Sequence, residues 1–361
     1  MKVLGVLLLV ALLAATTAAG YVWYSIEKPS DPLPKDGVFV TIPHGASRRS
    51  AARLLEQGGV LRSALAFEIY ARRHPKRTLE AGDYFFDHAI SGKEVFWKLA
   101  NGEVYQQPFT LKEGETIFDI ARDLEAAKYM TAEDFLKGAQ DPAQIKDIFP
   151  DAKSLEGFLF PATYNLPRHA SAAELTSMMV HKFREALQRI APDALNAKDS
   201  GASLGSMVTL ASLVERETPK PEERPLVAGV FTNRLEKNMP LQCDPTVIYA
   251  LEQDGRYSGT LTFKDLRLDS PYNTYVYRGL PPGPIGNPGE VALEAALRPA
   301  QTTYLYFVAN TQGGHFFAST LAEHNENVAK YHRLLNGEPA DPPPAEAHQT
   351  HTGGKSHKGK R

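Results

Sequence analysis

The sequence is poor in cysteine and in net charge and has no His-Glu-x-x-His motif, and each of these absences argues against a class of protein. Its 361 residues contain one cysteine, Cys243, which excludes an internal disulfide and a zinc site built from several cysteines. The net charge of -2 argues against a nucleic-acid partner. The chain has no His-Glu-x-x-His zinc motif, and Ser212 lies outside any G-x-S-x-G elbow.

One long apolar run stands at the N-terminus. Residues 3–24 carry no charge, and about 20 residues suffice for a helix to cross a hydrocarbon core of roughly 30 Å. Lys2 precedes the run and aromatic residues close it, which places the N-terminus in the cytoplasm and the rest of the chain outside. We therefore predict an uncleaved single-pass anchor at 1–24 in the cytoplasmic (inner) membrane. The alternative is a signal peptide cleaved near Thr17-Ala18-Ala19.

Two segments have the composition of connecting or solvated chain. Residues 25–36 are rich in proline and read as a spacer. Residues 338–361 have no apolar periodicity, which predicts a disordered tail. Its three histidines and terminal basic residues leave metal or polyanion binding as the alternative to a solvated tail.

An internal repeat follows the proline-rich spacer. Residues 40–47 and 109–116 share an apolar-Thr-apolar start, a glycine and a closing hydroxyl residue, and each pattern leads into a helical stretch. Ser47 and Thr116 are placed as helix N-caps. We predict two strand-helix units, at 37–104 and 105–166. The second resembles a LysM module, a fold associated with N-acetylglucosamine-containing glycans; the alternative is a packing or spacer duplication.

A larger mixed domain is predicted at 167–337. Residues 155–166 before it favour a strand or an extended joint. Ser171 and Glu174 form a capping box for a helix at 171–190, and further helices are expected at 225–235 and 321–335. A hairpin is expected from 303 to 318. Asn287 has the position of an N-cap before the helix that ends at Pro299.

The segment 204–218 predicts an almost wholly apolar helix with two carboxylates near its end. Glu215 shares a helical face with Leu204, Val208 and Ala211, so its side chain is expected to be poorly solvated. Desolvation disfavours the charged form of a carboxyl group, which turns a glutamic acid into a proton donor near neutral pH. Glu217 is placed similarly, and either residue could instead lie in solvent at the helix end.

Several motifs follow this helix, and together they are specific. They are Val-Ala-Gly-Val-Phe-Thr-Asn-Arg-Leu (227–235), Leu-Gln-Cys-Asp-Pro-Thr-Val-Ile-Tyr (241–249), Pro-Tyr-Asn-Thr-Tyr (271–275), Gly-Leu-Pro-Pro-Gly-Pro-Ile (279–285) and Gly-Gly-His-Phe-Phe (313–317). With Leu-Val-Glu-Arg-Glu-Thr (213–218), this ensemble resembles the endolytic murein transglycosylase (YceG-like) family. The resemblance covers nearly everything between the N-terminal anchor and the tail.

The resemblance implies a membrane-anchored lytic transglycosylase that cuts within peptidoglycan glycan strands and ends their elongation. It assigns the catalytic acid to Glu215. Such enzymes need one carboxyl group, because the C6 hydroxyl of N-acetylmuramic acid replaces water and leaves a 1,6-anhydro end. No metal or organic cofactor is implied, and penicillin-binding proteins are implied as partners. Cys243 stands where the family commonly has Thr, which puts a hydroxyl hydrogen bond there in doubt.

Supporting roles follow from the same resemblance and from residue chemistry. Amides, carboxylates and hydroxyls bond sugar hydroxyl and acetamido groups, and tyrosine rings stack on sugars. The candidates for substrate binding are Glu217, Gln242, Asp244, Tyr249, Tyr272, Asn273, Thr274, Tyr275 and His315. Each has a structural alternative: a turn at Asp244-Pro245, core tyrosines, or a hairpin histidine. Glu217 could also tune Glu215.

The fold class we predict is α+β, with one transmembrane helix, two LysM-like units and a mixed catalytic domain. Two rival functions stay open. One is a hydrolase on the same substrate, in which Glu217 or Asp244 activates water and leaves reducing ends. The other is a glycan-binding scaffold for cell-wall synthases that cleaves nothing.

Overall fold

The computed structural model describes residues 2–192, 200–337 and 339–340. The chain divides into two compact units, which are treated separately below. The first comprises Met1–Gln144, Lys153–Leu155 and Leu159–Arg184, and the second Ile145–Ala152, Glu156–Phe158 and Glu185–Arg361. Helices and short antiparallel strands alternate, which confirms the α+β class. Apart from 339–340, the predicted tail lies outside the described residues.

The first unit begins with the apolar helix α1 (Lys2–Glu27). Its segment Val3–Glu27 is long enough to cross a membrane, and the most apolar 18-residue stretch within it has a mean hydropathy of 2.3 and is not buried in the protein. The helix continues to Glu27, beyond the predicted anchor at 1–24. Ser25 and Ile26, in its last turn, are buried in the first unit. Pro29 forms an isolated bridge with Ser91, so the chain enters the unit where the spacer was expected.

Two two-stranded sheets organise the first unit. In the first arrangement, β1 (Val38–Ile42) and β2 (Gly82–Phe86) enclose α2 (Arg48–Gln57) and α3 (Ala64–Arg72). The strands pair antiparallel, from Val38 with Phe86 to Ile42 with Gly82. Helix α4 (Gly92–Ala100) follows and packs on this core.

The second arrangement repeats this order. Strands β3 (Gln106–Thr110) and β4 (Thr163–Pro167) enclose α5 (Ile117–Ala126) and α6 (Ala132–Ala139), and they pair antiparallel from Gln106 with Pro167 to Thr110 with Thr163. The segment 155–166, expected to be a strand or a joint, thus includes all but the last residue of the closing strand of the second repeat. A 3-10 turn, Pro142–Ile145, precedes it.

The caps and buried positions of the repeat agree with the sequence pattern. Ser47 accepts a hydrogen bond from the Ser50 N–H, and Thr116 accepts one from the Asp119 N–H. These bonds satisfy N–H groups that have no partner within the helix, which is why both helices begin there. The matched pairs Ala52/Ala121 and Leu55/Leu124 are all buried. The predicted repeat is therefore present as two strand-helix-helix-strand arrangements.

The second unit is built mainly of helices. These are the end of α7 (Ala172–Ile190), α8 (Ser200–Glu217), α9 (Arg224–Glu236), α10 (Asp244–Gln253), α11 (Glu290–Leu297) and α12 (Leu321–Leu335), with 3-10 turns at Pro221–Glu223 and Asp265–Arg267. Strands β5 (Tyr306–Ala309) and β6 (His315–Ala318) form the predicted hairpin. The Ser171–Glu174 capping box is also confirmed, because each residue's side chain accepts from the other's N–H.

Helix α8 lies at the centre of the second unit and packs against α9, α10 and α11. Its residues Leu204, Val208 and Ala211 are buried, as the helical periodicity predicts. Gly205 permits a close approach on the same helix, since a Cβ there would lie 2.4 Å from the Phe149 ring. The central position of α8 brings its final turn among segments distant in sequence.

Candidate active site

The two glutamates at the end of α8 face different surroundings. They are two residues apart on a helix, so their side chains diverge by about 200° around its axis. Glu215 is buried and Glu217 is partly exposed. The two carboxyl groups therefore meet different neighbours.

Glu215 holds three helices together through its two carboxylate oxygens. Oε1 accepts a hydrogen bond from Arg224 Nη2 at 2.5 Å, and Oε2 accepts one from the Gly289 N–H at 3.0 Å. Arg224 opens α9, and Gly289 is the N-cap of α11. The side chains of Glu215 and Arg224 are only 4% and 5% exposed. A guanidinium and an N–H donor both stabilise the anion, which does not suit the proton-donor role predicted for Glu215.

The surroundings of Glu217 favour the protonated form of its carboxyl group. Its Oε2 accepts a hydrogen bond from the thiol of Cys243 at 3.3 Å. Burial raises the pKa of Glu217, and the nearby Asp244 charge adds to that rise, while Cys243, His315 and Arg234 act in the opposite direction. A carboxyl group with a raised pKa at a partly exposed position can hold a proton and deliver it to a ligand.

The loop before α10 is fixed by Thr274, which is fully buried. Its hydroxyl accepts a hydrogen bond from the Cys243 N–H at 3.0 Å and lies 2.9 Å from the hydroxyl of Thr246. Its carbonyl accepts one from the Gln242 N–H at 3.2 Å. Gln242 adopts a positive φ of 52°, which non-glycine residues rarely do. Thr274 therefore holds the loop so that Gln242 and Asp244 are exposed beside the buried Cys243.

Asp244 and Tyr275 join the same group. The Tyr275 hydroxyl donates a hydrogen bond to Asp244 Oδ1 at 2.5 Å. Burial and this carboxylate raise the pKa of Tyr275, so the phenol stays protonated. Glu217, Cys243, Asp244 and Tyr275 thus form one connected polar cluster between α8 and the loops at 241–244 and 271–275.

Asn273 supports that cluster from within the protein. It is fully buried, and its Nδ2 donates to the carbonyls of Leu266 at 3.1 Å and Leu268 at 2.8 Å. Its Oδ1 accepts from the Tyr275 N–H at 3.0 Å. These bonds fix the 266–275 loop. Asn273 therefore has a structural role that does not require contact with a substrate.

Tyr249 and Tyr272 belong to a second cluster. Tyr249 is buried, and its ring centroid lies 5.0 Å from that of the partly exposed Tyr272. Burial raises the pKa of both phenols, and the charge of Glu156 adds to the effect. Because Tyr249 is almost inaccessible, it cannot stack on a sugar in this conformation.

Asn287 is part of the same second cluster, and its predicted N-cap role is wrong. Helix α11 begins at Glu290 with Gly289 as its N-cap, and no side chain caps it. Asn287 is instead buried, donating to Glu156 Oε1 at 3.1 Å and accepting from the Gly157 N–H at 2.9 Å. A buried amide needs partners for both its donor and its acceptor, and these lie 130 and 131 residues away in sequence.

His315 is oriented by Glu223, a residue that the sequence reading did not select. Glu223 Oε2 lies 2.7 Å from His315 Nδ1, and Glu223 Oε1 accepts from the His315 N–H at 2.9 Å. Burial alone would raise the pKa of Glu223, but the hydrogen bonds with His315 outweigh it and lower that pKa. A carboxylate at Nδ1 fixes the ring and its tautomer.

Arg234 and Arg224 were also missed by the sequence reading. Arg234 Nε donates to the Leu305 carbonyl at 2.6 Å and Nη1 donates to the Leu241 carbonyl at 2.8 Å, which ties α9 to the loop before α10. The charged Glu223-Arg224 pair, followed by Pro225, was a visible helix-start signal. Its partners were not visible, since they come from other segments.

The chain matches known proteins over most of its length. The model of the YceG-like family matches residues 40–330. The chain belongs to the YceG-like family. A relative of this YceG-like protein named endolytic murein transglycosylase, from Bacillus subtilis (strain 168), is 34% identical over 85% of the chain and 88% of the relative. Another of that name, from Streptococcus pneumoniae serotype 2 (strain D39 / NCTC 7466), is 32% identical over 91% of the chain and 65% of the relative.

A solved structure agrees with these relatives. A crystal structure of a YceG-like protein from Listeria monocytogenes is 34% identical, covers 81% of the chain and 99% of that protein, and has a TM-score of 0.54. The family and the relatives confirm the resemblance carried by the sequence motifs. This YceG-like protein is accordingly an enzyme, a lytic transglycosylase.

Proposed function

We propose that this protein cleaves the MurNAc-GlcNAc glycosidic bond within peptidoglycan glycan strands, with Glu217 as its acid and base in place of Glu215. The observation that carries the proposal is the contrast between the two carboxyl groups. Glu215 is buried in an ion pair with Arg224, whereas burial raises the pKa of Glu217 beside the exposed Gln242 and Asp244. The names of the relatives supply the substrate, murein.

The proposed reaction needs one carboxyl group and no water. Protonated Glu217 gives its proton to the bridging oxygen as the bond from C1 of N-acetylmuramic acid breaks, through an oxocarbenium-like transition state. The C6 hydroxyl of the same sugar then attacks C1, and the Glu217 carboxylate accepts the hydroxyl proton. A 1,6-anhydro end and a free leaving-group hydroxyl result, and Glu217 is protonated again.

The neighbouring residues divide into two proposed groups. Gln242, Asp244, Tyr275 and His315 lie near Glu217 and offer hydrogen bonds to the sugar, and the partly exposed Tyr272 offers a ring face. Thr274, Asn273 and Tyr249 are buried, and we propose that they hold the loops and the core that present the first group. Asp244 would orient Tyr275 through their hydrogen bond.

Replacing Cys243 with alanine is expected to move the alkaline limb of the pH-rate profile to higher pH. The acid must hold its proton in the free enzyme, so activity falls as the pH rises through the pKa of Glu217. The Cys243 thiol donates to the Glu217 carboxylate and favours the anion, so its removal raises that pKa further. The measurement is the kcat/KM of glycan cleavage as a function of pH.

Cys243→Ser is the matched control, since it keeps a donor of similar size. Burial raises the pKa of the Cys243 thiol well above its usual value, so the native side chain is a neutral donor like a hydroxyl. The serine variant should keep the alkaline limb at or below its native position. An unchanged limb in Cys243→Ala would exclude any influence of the thiol on the acid.

We propose that α1 anchors the enzyme in the inner membrane with its N-terminus in the cytoplasm and both folded units in the periplasmic or extracytoplasmic space. Its length, its apolar surface and the position of Lys2 support this orientation. The strand-helix-helix-strand order of the two repeats supports a LysM-like role in holding glycan. An association with penicillin-binding proteins stays a prediction, which copurification from membranes would test.

Mass spectrometry of fragments released from purified peptidoglycan by the full chain in detergent tests the proposed reaction. We expect 1,6-anhydro-muramyl ends from internal cleavage. Reducing ends would support the rival hydrolase, in which water takes the place of the C6 hydroxyl. Retained glycan with no cleavage would support the scaffold.

A further inference from the structure

The end of α1 is buried in the first unit. Ser25 and Ile26, in its last turn, are 3% and 4% exposed, and Ile26 belongs to the core that includes Phe67 and Phe96. The apolar helix therefore enters the core of the first unit without leaving its helical conformation. The elements packed beside the last turns of α1 must lie at the surface of any membrane that α1 crosses.

Helices α3 and α4 pack beside those turns, and α3 points back along α1. Near its start, the Arg62 guanidinium lies 5.4 Å from the Tyr24 ring centroid. Near its end, Ile69, Tyr70 and Arg73 share a cleft of about 380 Å³ with residues of α1, namely Ala18, Ala19, Val22, Trp23, Ile26 and Glu27. Ala18 precedes Tyr24 by six residues, or about 9 Å along the helix axis. The end of α3 thus reaches the level at which the aromatic belt of α1 meets the headgroups.

The chain is strongly basic at that end. Arg72, Arg73, Lys76 and Arg77 fall within six residues, and all four are exposed. Cations at the end of a helix offset its dipole, which accounts for Arg72 and Arg73 but not for the two residues beyond. The acidic residues nearby are Glu68, paired with Arg72 at 2.7 Å, Asp31, paired with Arg62 at 3.0 Å, and Glu27 in the cleft. Basic side chains remain in excess.

We propose that this basic surface, consisting of Arg72, Arg73, Lys76 and Arg77 beside the Trp23-Tyr70 cleft, binds the phosphate headgroups of anionic phospholipids in the membrane that α1 spans. The inference rests on the proposed anchoring by α1. Guanidinium groups hold phosphate oxygens with two parallel hydrogen bonds, and Trp23 and Tyr70 suit the boundary between headgroups and acyl chains. Bound headgroups would fix the height and tilt of the first unit above the membrane.

The test uses the full chain in lipid nanodiscs and its two natural tryptophans, Trp23 and Trp97. Energy transfer to a trace of fluorescent phosphatidylglycerol is compared with transfer to phosphatidylcholine carrying the same label. Each basic residue near an anionic surface contributes about fivefold to binding. We expect transfer to favour phosphatidylglycerol in the native protein, with at least a fivefold loss of that preference in Arg72→Gln/Arg73→Gln.

The matched control is Arg49→Gln/Arg53→Gln, which removes the same charge from exposed positions of α2. It should keep the native preference within about twofold. Equal transfer to both lipids, or an equal loss in the control, would overturn the proposal, and so would abolition of the preference by millimolar inorganic phosphate. Extraction by alkaline carbonate separates the two ideas: release of the protein contradicts the anchor as well, whereas a retained protein without lipid preference contradicts this surface alone.

Discussion

Replacing Glu217 with glutamine is expected to lower the rate of glycan cleavage by a factor of about 10² to 10⁴ while the protein stays folded. Glutamine keeps the shape of the side chain and its contact with Cys243 but has no proton to give. The buried Arg234 near Glu217 donates hydrogen bonds to the carbonyls of Leu305 and Leu241, which the substitution leaves in place. The form of Glu217 that we propose to be active is protonated and neutral, so the uncharged amide adds no new charge imbalance beside that cation. The measurement is the yield of anhydro ends by mass spectrometry, with the melting temperature as a check on folding.

Glu215→Gln is the informative comparison, because it lies two residues away on the same helix. It would disturb the buried pair with Arg224, so its main effect should be on stability, and any loss of activity should follow the fraction of unfolded protein. Kinetics at a temperature where the variant is folded separate the two effects. A folded but inactive Glu215→Gln alongside an active Glu217→Gln would return the catalytic role to Glu215.

Replacing Arg224 with methionine is expected to destabilise the second unit by about 3–5 kcal/mol. The change leaves the Glu215 carboxylate buried without its guanidinium, and only the Gly289 N–H would then remain of the two donors described above. A buried charge that loses its guanidinium is costly because the surrounding protein solvates it less well than water does. Urea unfolding followed by far-ultraviolet circular dichroism measures the loss.

Two further variants show whether burial is the cause. Arg189→Met breaks an exposed ion pair of the second unit, in which Arg189 Nη2 and Glu290 Oε2 lie 2.7 Å apart. Because this pair is exposed, its loss should cost at most about 1 kcal/mol. The double variant Glu215→Leu/Arg224→Met removes both buried charges and should recover much of the stability lost in Arg224→Met. Equal losses in Arg189→Met and Arg224→Met would contradict this explanation.

Local rules gave much of the fold from the sequence. The N-caps Ser47 and Thr116, the Ser171–Glu174 capping box and the buried face of α8 all depend on residues within one or two helical turns. Such interactions recur wherever the local sequence recurs, so periodicity and capping patterns detect them. The motif ensemble also led to the correct family, because short motifs in a fixed order are specific even when each is weak.

The pairings of the candidate site could not be derived in this way. Asn287 was expected to cap its own helix, but it bonds Glu156 and Gly157. Tyr249 was expected to face substrate, but it is buried. Asn273 and Thr274 were also candidates for substrate binding because they are polar, but both side chains are buried. A polar side chain requires hydrogen-bond partners, but the sequence does not show whether those partners belong to a substrate or to the protein.

The sequence by itself determined the apolar N-terminal helix, the duplicated strand-helix pattern, the helix carrying two glutamates and the family. Only the tertiary structure separated the surroundings of Glu215 and Glu217. Both lie on the same short apolar helix, and the helical pattern alone gives each a buried face. Arg224 and Gly289 reach one of them, and Cys243 reaches the other. The charge state of a carboxyl group depends on the donors and charges that surround it in space, and here those groups come from segments up to 74 residues away.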